Sequence, residues 1–293
     1  MDRVKYLVSL SFAVFFTISG CAPTTLPPPP KPARIAVVLG AGAAKGFAHI
    51  GVLKVLQSQK IPIHMIVGTS AGSFVGSLYA YGQDAFKLQT LSFAIEKDDV
   101  MDLMLPDNGF IRGEKLEAYI NRQLKGATIE KLAIPFYAVA TDIQSGQEIV
   151  FGSGNTGRAV RASCSVPGVF RPVSISGRIY VDGGVVSPLA VDVAKRYGAD
   201  VVIAVDISSS IGGEAPQGTL DTILQSVGIM YAKISANQRL KADVVIAPKV
   251  GTIGSSDFSK RHEAVLEGEK AAQDALPAIM EIINKLKQEG RLS

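Results

Sequence analysis

Cysteine is scarce in this sequence: Cys21 and Cys164 are the only two among 293 residues. Two thiols make neither a disulfide framework nor a cysteine-based zinc site. Charge is low as well, at 19%, and with 47% hydrophobic residues this excludes a disordered chain. The net charge of +4 contains no basic run, which argues against a dedicated nucleic-acid binder. Glycine (29) and proline (15) are too few and too scattered for a collagen-like or low-complexity array. Histidine is limited to His49, His64 and His262, so there are few candidates for an imidazole base. The N-terminal uncharged run, Tyr6 to Ser19, has fourteen residues. As a helix it would reach about 21 Å, short of a hydrocarbon core of about 30 Å.

What is present begins at that N-terminus. Met1 to Lys5 is short and net-positive, the apolar run follows, and small residues lead into Cys21. This is the layout of a secretory signal. The sequence Ile18-Ser19-Gly20-Cys21 resembles the bacterial lipobox, in which the cysteine receives a diacylglyceryl group and becomes the mature N-terminus. The resemblance implies a lipoprotein signal peptide over residues 1–20 and a lipid anchor on Cys21 that holds the chain to a membrane. It also implies a place in the bacterial cell envelope, with Ala22 rather than Asp favouring the outer membrane. An ordinary signal peptide with an incidental cysteine is the alternative. Residues 21–33 continue as a linker whose four consecutive prolines, Pro27 to Pro30, favour an extended polyproline II spacer.

The body, residues 34–293, alternates strand and helix. Continuous apolar runs at Ile35–Leu39, Ile63–Val67, Phe136–Ala140, Val201–Val205 and Val244–Ile246 have the character of strands buried on both faces. Helical spacing follows the first run over Phe47 to Gln57 and the second over Ala71 to Tyr81. Ser176-Gly177, between Val173–Ile175 and Arg178–Val181, fits a two-residue hairpin turn. A last helix over Glu263 to Lys287 carries Pro277, which predicts a break or kink. The pattern specifies a single α/β domain with a mostly parallel central sheet and helices on both faces.

Three motifs fall at the carboxyl ends of strands, where such sheets hold their ligands. Gly68-Thr69-Ser70-Ala71-Gly72 is a G-x-S-x-G between a buried strand and a helix, the setting of a nucleophile elbow. Gly40 to Gly46 (GAGAAKG) follows the first strand, and its small residues leave backbone N–H groups to line an anion-binding nest. A dinucleotide loop fits poorly: the spacing is G-x-G-x-x-x-G, and no acidic residue occurs between positions 47 and 83. Asp182-Gly183-Gly184 closes the hairpin strand. A nucleophilic serine requires a base. His49 and His64, on a helix and in a strand, read as structural. The residues leave two options open: a Ser70–Asp206–His262 triad in hydrolase chain order, or Asp182 acting directly on Ser70.

Taken together, Leu39 to Leu53, Gly68 to Gly72, Asp182 to Gly184 and the block Arg161 to Pro172 resemble the patatin-like phospholipases. The resemblance runs from about Arg34 to Asp206. It implies a serine–aspartate pair without metal or other cofactor, with Ser70 as nucleophile and Asp182 as base. The N–H groups of Gly42 and Ala43 would form the oxyanion hole, and the substrate would be a lipid or other acyl ester. This chain departs from the family's glycine loop by Ala41 and Ala43. Alanine still supplies an N–H, provided neither position requires a positive φ. Lys45 occupies the loop's basic position, Cys164 reads as a small core residue, Arg161 as a loop-holding or anion-holding side chain, and Met101 to Pro106 as a lid or acyl-chain wall. Two other readings stand beside this one: a triad esterase acting on small esters, and a non-catalytic lipid-binding lipoprotein.

Overall fold

Five apolar runs become the parallel part of one mixed sheet. The structure is a computed structural model that describes residues 29–208 and 215–292; the signal segment and Cys21 lie outside the described residues. Along the chain the elements are β1 (Ile35–Leu39), α1 (Phe47–Ser58), β2 (Met65–Thr69), α2 (Ala71–Ala80), α3 (Ala85–Ala94), the single turn α4 (Lys97–Val100) and α5 (Glu114–Gln123). There follow β3 (Phe136–Asp142), β4 (Glu148–Phe151), α6 (Thr156–Ser163), β5 (Val173–Ile175), β6 (Arg178–Asp182) and α7 (Val191–Arg196). The chain ends with β7 (Val201–Val205), α8 (Thr219–Gln238), β8 (Val244–Ile246) and α9 (Arg261–Gln288).

The strand order is β5-β6-β3-β2-β1-β7-β8, with β4 also paired to β3. The run β3-β2-β1-β7-β8 is parallel, while β4, β5 and β6 join antiparallel. Because strand residues alternate between faces, each buried strand feeds two cores. Ile35, Val37 and Leu39 pack into the larger core with α1, α2 and α9, whereas Ala36 and Val38 face a smaller one built on Leu189 to Ala194. Helices therefore cover both faces, as the sequence predicts, but unequally: among the described residues the second face carries only the short α7 and its approach.

Several boundaries differ from the sequence reading. The second strand starts at Met65, and His64 stands just before it, its Nδ1 accepting the Ile35 N–H at 3.1 Å. The hairpin turn is as expected, with Ser176 and Gly177 both at positive φ (50° and 79°), the backbone that a tight two-residue hairpin requires. The last helix is not broken at Pro277 but runs continuously from Arg261 to Gln288. Pro277 and Gln273, whose carbonyl loses its helical partner, are both exposed, so water can take the place of the missing N–H. Among the described residues no helix is long and apolar enough to cross a membrane.

Candidate active site

Sheet register brings the two motifs together. β2 runs parallel to β3 and ends with Thr69 opposite Val139; β6 runs antiparallel and ends with Asp182 opposite Ala140. β4 occupies the other edge of β3, over Ala138 to Thr141. The carboxyl ends of β2 and β6 thus meet on one edge of β3, and Ser70 follows at one side of that junction with Asp182 at the other.

Ser70 sits on a strained turn, at φ 54° and ψ −125°. A non-glycine residue in such a conformation costs of order 1–3 kcal/mol and persists only where its surroundings hold it. Here Ser163 Oγ accepts the Ser70 N–H at 2.9 Å and donates to the Val139 carbonyl at 2.6 Å. Ser73 Oγ donates to the Ser70 carbonyl at 2.7 Å, and Thr69 Oγ1 donates to the Ser187 carbonyl at 3.0 Å. The flanking glycines are needed for close approach. A Cβ on Gly72 would stand 2.0 Å from the Leu39 oxygen, and one on Gly68 2.5 Å from Ser73 Cα.

Asp182 is fully buried. Its Oδ1 accepts the Gly184 N–H at 2.7 Å, while Oδ2 has no hydrogen-bond partner. Burial raises its pKa from the ordinary 3.8 to about 6, opposed by the neighbouring Ser70 hydroxyl, the Gly184 N–H and the Tyr231 phenol. The backbone holds the residue firmly: its N–H donates to the Ser165 carbonyl, and Thr141 Oγ1 donates to its own carbonyl.

In the glycine loop, most donors are already used. Gly40 donates to Val205, Ala41 to Pro188, Ala44 to Ser255 and Lys45 to Gly42. Among the described residues the Gly42 and Ala43 N–H groups have no acceptor, and Ala43 lines the cavity beside Ser70. Ala43 does stand at a positive φ of 50°. The condition set by the sequence is therefore not met at this position, and alanine takes a left-handed conformation at a cost of roughly 1–2 kcal/mol. The loop is pinned from below by His49, whose buried Nε2 donates to the Gly40 carbonyl at 2.8 Å. That bond leaves Nδ1 unprotonated and without a partner, and burial lowers the His49 pKa to about 4.

The remaining candidates separate from the site. Asp206 accepts from Ser208 and Ser235 at the end of β7, and His262 is exposed and stacked on Phe93, its ring centroid 3.9 Å away. Among the described residues neither bonds to the other or to Ser70. Arg161 holds a loop, bonding Glu117 and the Arg112 carbonyl. Cys164 is buried at the cavity wall, its Sγ 3.7 Å from Ser73 Oγ, and burial pushes its thiol pKa up. Burial also lowers the pKa of Lys45. Met101 lines the cavity, but Leu103 and Leu105 project into solvent. Sequence reasoning missed Ser163, which lies within the Arg161 to Pro172 block, and Tyr231, for which the sequence carries no local signal.

From Ser70 a cavity of about 360 Å³ extends between α2, α3 and α5, walled by Phe74, Leu78, Leu88, Ile95 and Tyr119 and covered by Leu220 and Leu224 of α8. Its wall is almost wholly apolar. No group of three or more metal-ligating side chains gathers among the described residues.

An elbow serine, a buried carboxylate and an apolar cavity thus stand together at the carboxyl edge of the parallel strands of an α/β domain. The profile of the patatin-like phospholipase family matches residues 37–195, and the chain belongs to that family. It is 30% identical to lysophospholipase NTE1 of Pyricularia oryzae, over 88% of this chain but 19% of that protein. It is 36% identical to an NTE family protein of Mycobacterium bovis, over 69% of this chain and 57% of the relative. It is also 36% identical to human patatin-like phospholipase domain-containing protein 6, over 60% and 13%. The chain thus spans less than two thirds of the length of these relatives. VipD from Legionella pneumophila shares the fold, with a TM-score of 0.58 and 14% identity over 85% of this chain and 67% of that one.

Proposed function

We propose that the chain is a serine acyl hydrolase that cleaves lipid acyl esters, of phospholipase A or lysophospholipase type, through Ser70 and Asp182. The reading rests on one observation above the others: a buried carboxylate oxygen without a partner, beside a hydroxyl held on a strained elbow at the mouth of an apolar cavity. Asp182 Oδ2 takes the Ser70 proton as Oγ attacks the acyl carbonyl. The oxyanion is received by the N–H groups of Gly42 and Ala43, for which no acceptor occurs among the described residues. Collapse expels the alcohol or lysolipid, which leaves with the proton from Asp182. Water then gives its proton to Asp182 and its hydroxide to the acyl carbon; as this second intermediate collapses, Asp182 passes the proton to Ser70 Oγ, which releases the fatty acid and restores both residues. The raised pKa makes Asp182 a better base than an exposed aspartate while leaving it mostly ionised at neutral pH.

Cys21 is read as the lipid attachment point that holds the enzyme to the cell envelope, at the outer membrane, with residues 21–33 as spacer. Mass spectrometry of the mature N-terminus tests this: an unmodified chain that keeps residues 1–20 would overturn it.

The test of the chemistry is labelling with a fluorophosphonate serine probe. Wild type is expected to label, Ser70→Ala not at all, and Asp182→Asn at least about a hundredfold more slowly. His262→Ala is expected to keep most of the activity. Folded wild-type protein that takes no label at Ser70 would favour a lipid-binding role, and a dead His262→Ala would favour the triad.

A further inference from the structure

One buried polar atom besides Asp182 Oδ2 lacks a partner at the same place. The Tyr231 hydroxyl is among the buried oxygens without a hydrogen bond, and the residue is only 4% exposed. Tyr231 belongs to α8, more than 40 residues beyond the Asp-Gly-Gly motif, yet its ring lies directly on that motif. A Cβ added to Gly184 would stand 2.3 Å from Tyr231 Cζ, so the second glycine of the motif leaves room for this ring. Gly184 is also the residue whose N–H holds Asp182 Oδ1. The phenol interacts with the carboxylate: the Asp182 charge and burial raise the Tyr231 pKa, and the phenol in turn lowers that of Asp182. A buried donor and a buried acceptor, both unpaired and adjacent, each carry a desolvation cost that a bond between them removes.

We propose that Tyr231 is a positioning residue for the acyl-transfer reaction: its O–H donates to Asp182 Oδ2 and aims that oxygen at Ser70. The proposal rests on the reading of Asp182 as the base. It gives α8 two roles, since Leu220 and Leu224 near its start cover the cavity while Tyr231, three turns on, reaches the carboxylate. The titratable groups that face Asp182 are Tyr231 from α8 and Cys164 at the end of α6; burial and the Asp182 charge keep both neutral.

The experiment is the pH dependence of fluorophosphonate labelling in the full chain, comparing wild type, Tyr231→Phe and Asp182→Asn. The phenylalanine keeps the ring that packs on Gly184 and removes only the donor. A hydrogen bond to a carboxylate favours its charged form, so losing it moves the acid fall-off upward by about one pH unit. Labelling of Tyr231→Phe is therefore expected to be several-fold slower than wild type at pH 8, where Asp182 is ionised and only its aim is lost, and about tenfold slower again at pH 5. A fall-off at the wild-type pH, or equal slowing at every pH, overturns the proposal. An Asp182→Asn variant that labels at the wild-type rate overturns the base assignment itself, which is a separate result.

Discussion

Two buried titratable residues place opposite demands on the fold. Asp182 has a folded pKa of about 6 against the usual 3.8, so the unfolded chain ionises more readily. Below pH 4 both states are protonated and there is no penalty; above pH 6 the folded state bears roughly 3 kcal/mol. His49 has a folded pKa of about 4 against 6.5. Its stabilisation is present above pH 6.5 and is lost, by roughly the same amount, as pH falls through 4. Over pH 4 to 6 the two contributions nearly cancel. Asp182→Asn removes one of them. That variant is expected to melt higher than wild type at pH 7 and to match it at pH 4, which calorimetry across this range would read. Equal melting temperatures at pH 7 would show that Asp182 carries no burial penalty. At this scale the sequence was informative about identity and silent about environment. Ser70 stood out by its motif, while Asp182 as base and the N–H groups of Gly42 and Ala43 entered only through the family resemblance; the orphan oxygen and the left-handed Ala43 depend on what packs around them. Tyr231 was invisible because nothing in a helical run marks the one residue that turns toward a carboxylate.

Pairs of elements meet more closely than their side chains alone would allow. A Cβ on Gly268 of α9 would stand 2.0 Å from the Ala48 oxygen, and one on Gly51 of α1 would stand 2.0 Å from the Val265 oxygen. The two helices therefore touch backbone to backbone. α1 also begins at the glycine loop, lines the cavity with Phe47 and Ile50, and holds His49 against Gly40. Gly268→Ala has to push α9 outward or displace α1. A loss of about 1–3 kcal/mol is expected, as for other overpacked contacts, together with slower labelling of Ser70 from a shifted loop. Denaturant melts and probe kinetics on the same preparation test the coupling. A variant that loses stability but labels at the wild-type rate would show that the loop is held independently of α1. The parallel strands were legible because continuous apolar runs have few other uses. The meeting of β2 and β6 on one edge of β3 was not, since register is set by pairing partners that lie some 40 residues or more away in the chain.

For the molecule as a whole, the sequence supplied the fold class and the order of the strands along the chain, but neither the unequal faces nor the cavity. The cavity arises where α2, α3 and α5 splay from the larger face and α8 crosses above, packing Leu220, Ile223, Leu224 and Val227 on Ile111, Val166 and Val169. No single element encodes that space. Its apolar wall leads from Ser70, so an acyl chain can enter it as the carbonyl approaches the hydroxyl. Burial of each methylene contributes up to about 0.8 kcal/mol, or roughly a fourfold gain in kcat/KM, while there is wall to contact. With p-nitrophenyl esters, activity is therefore expected to climb from acetate through butyrate to octanoate and to level off once the cavity of about 360 Å³ is filled. Leu88→Phe adds ring volume to the α3 side of that space. It is expected to lower kcat/KM for octanoate and longer esters several-fold more than for acetate, bringing the plateau to a shorter chain. A chain-length profile that is flat in wild type, or unaltered in Leu88→Phe, would mean that the acyl group binds elsewhere.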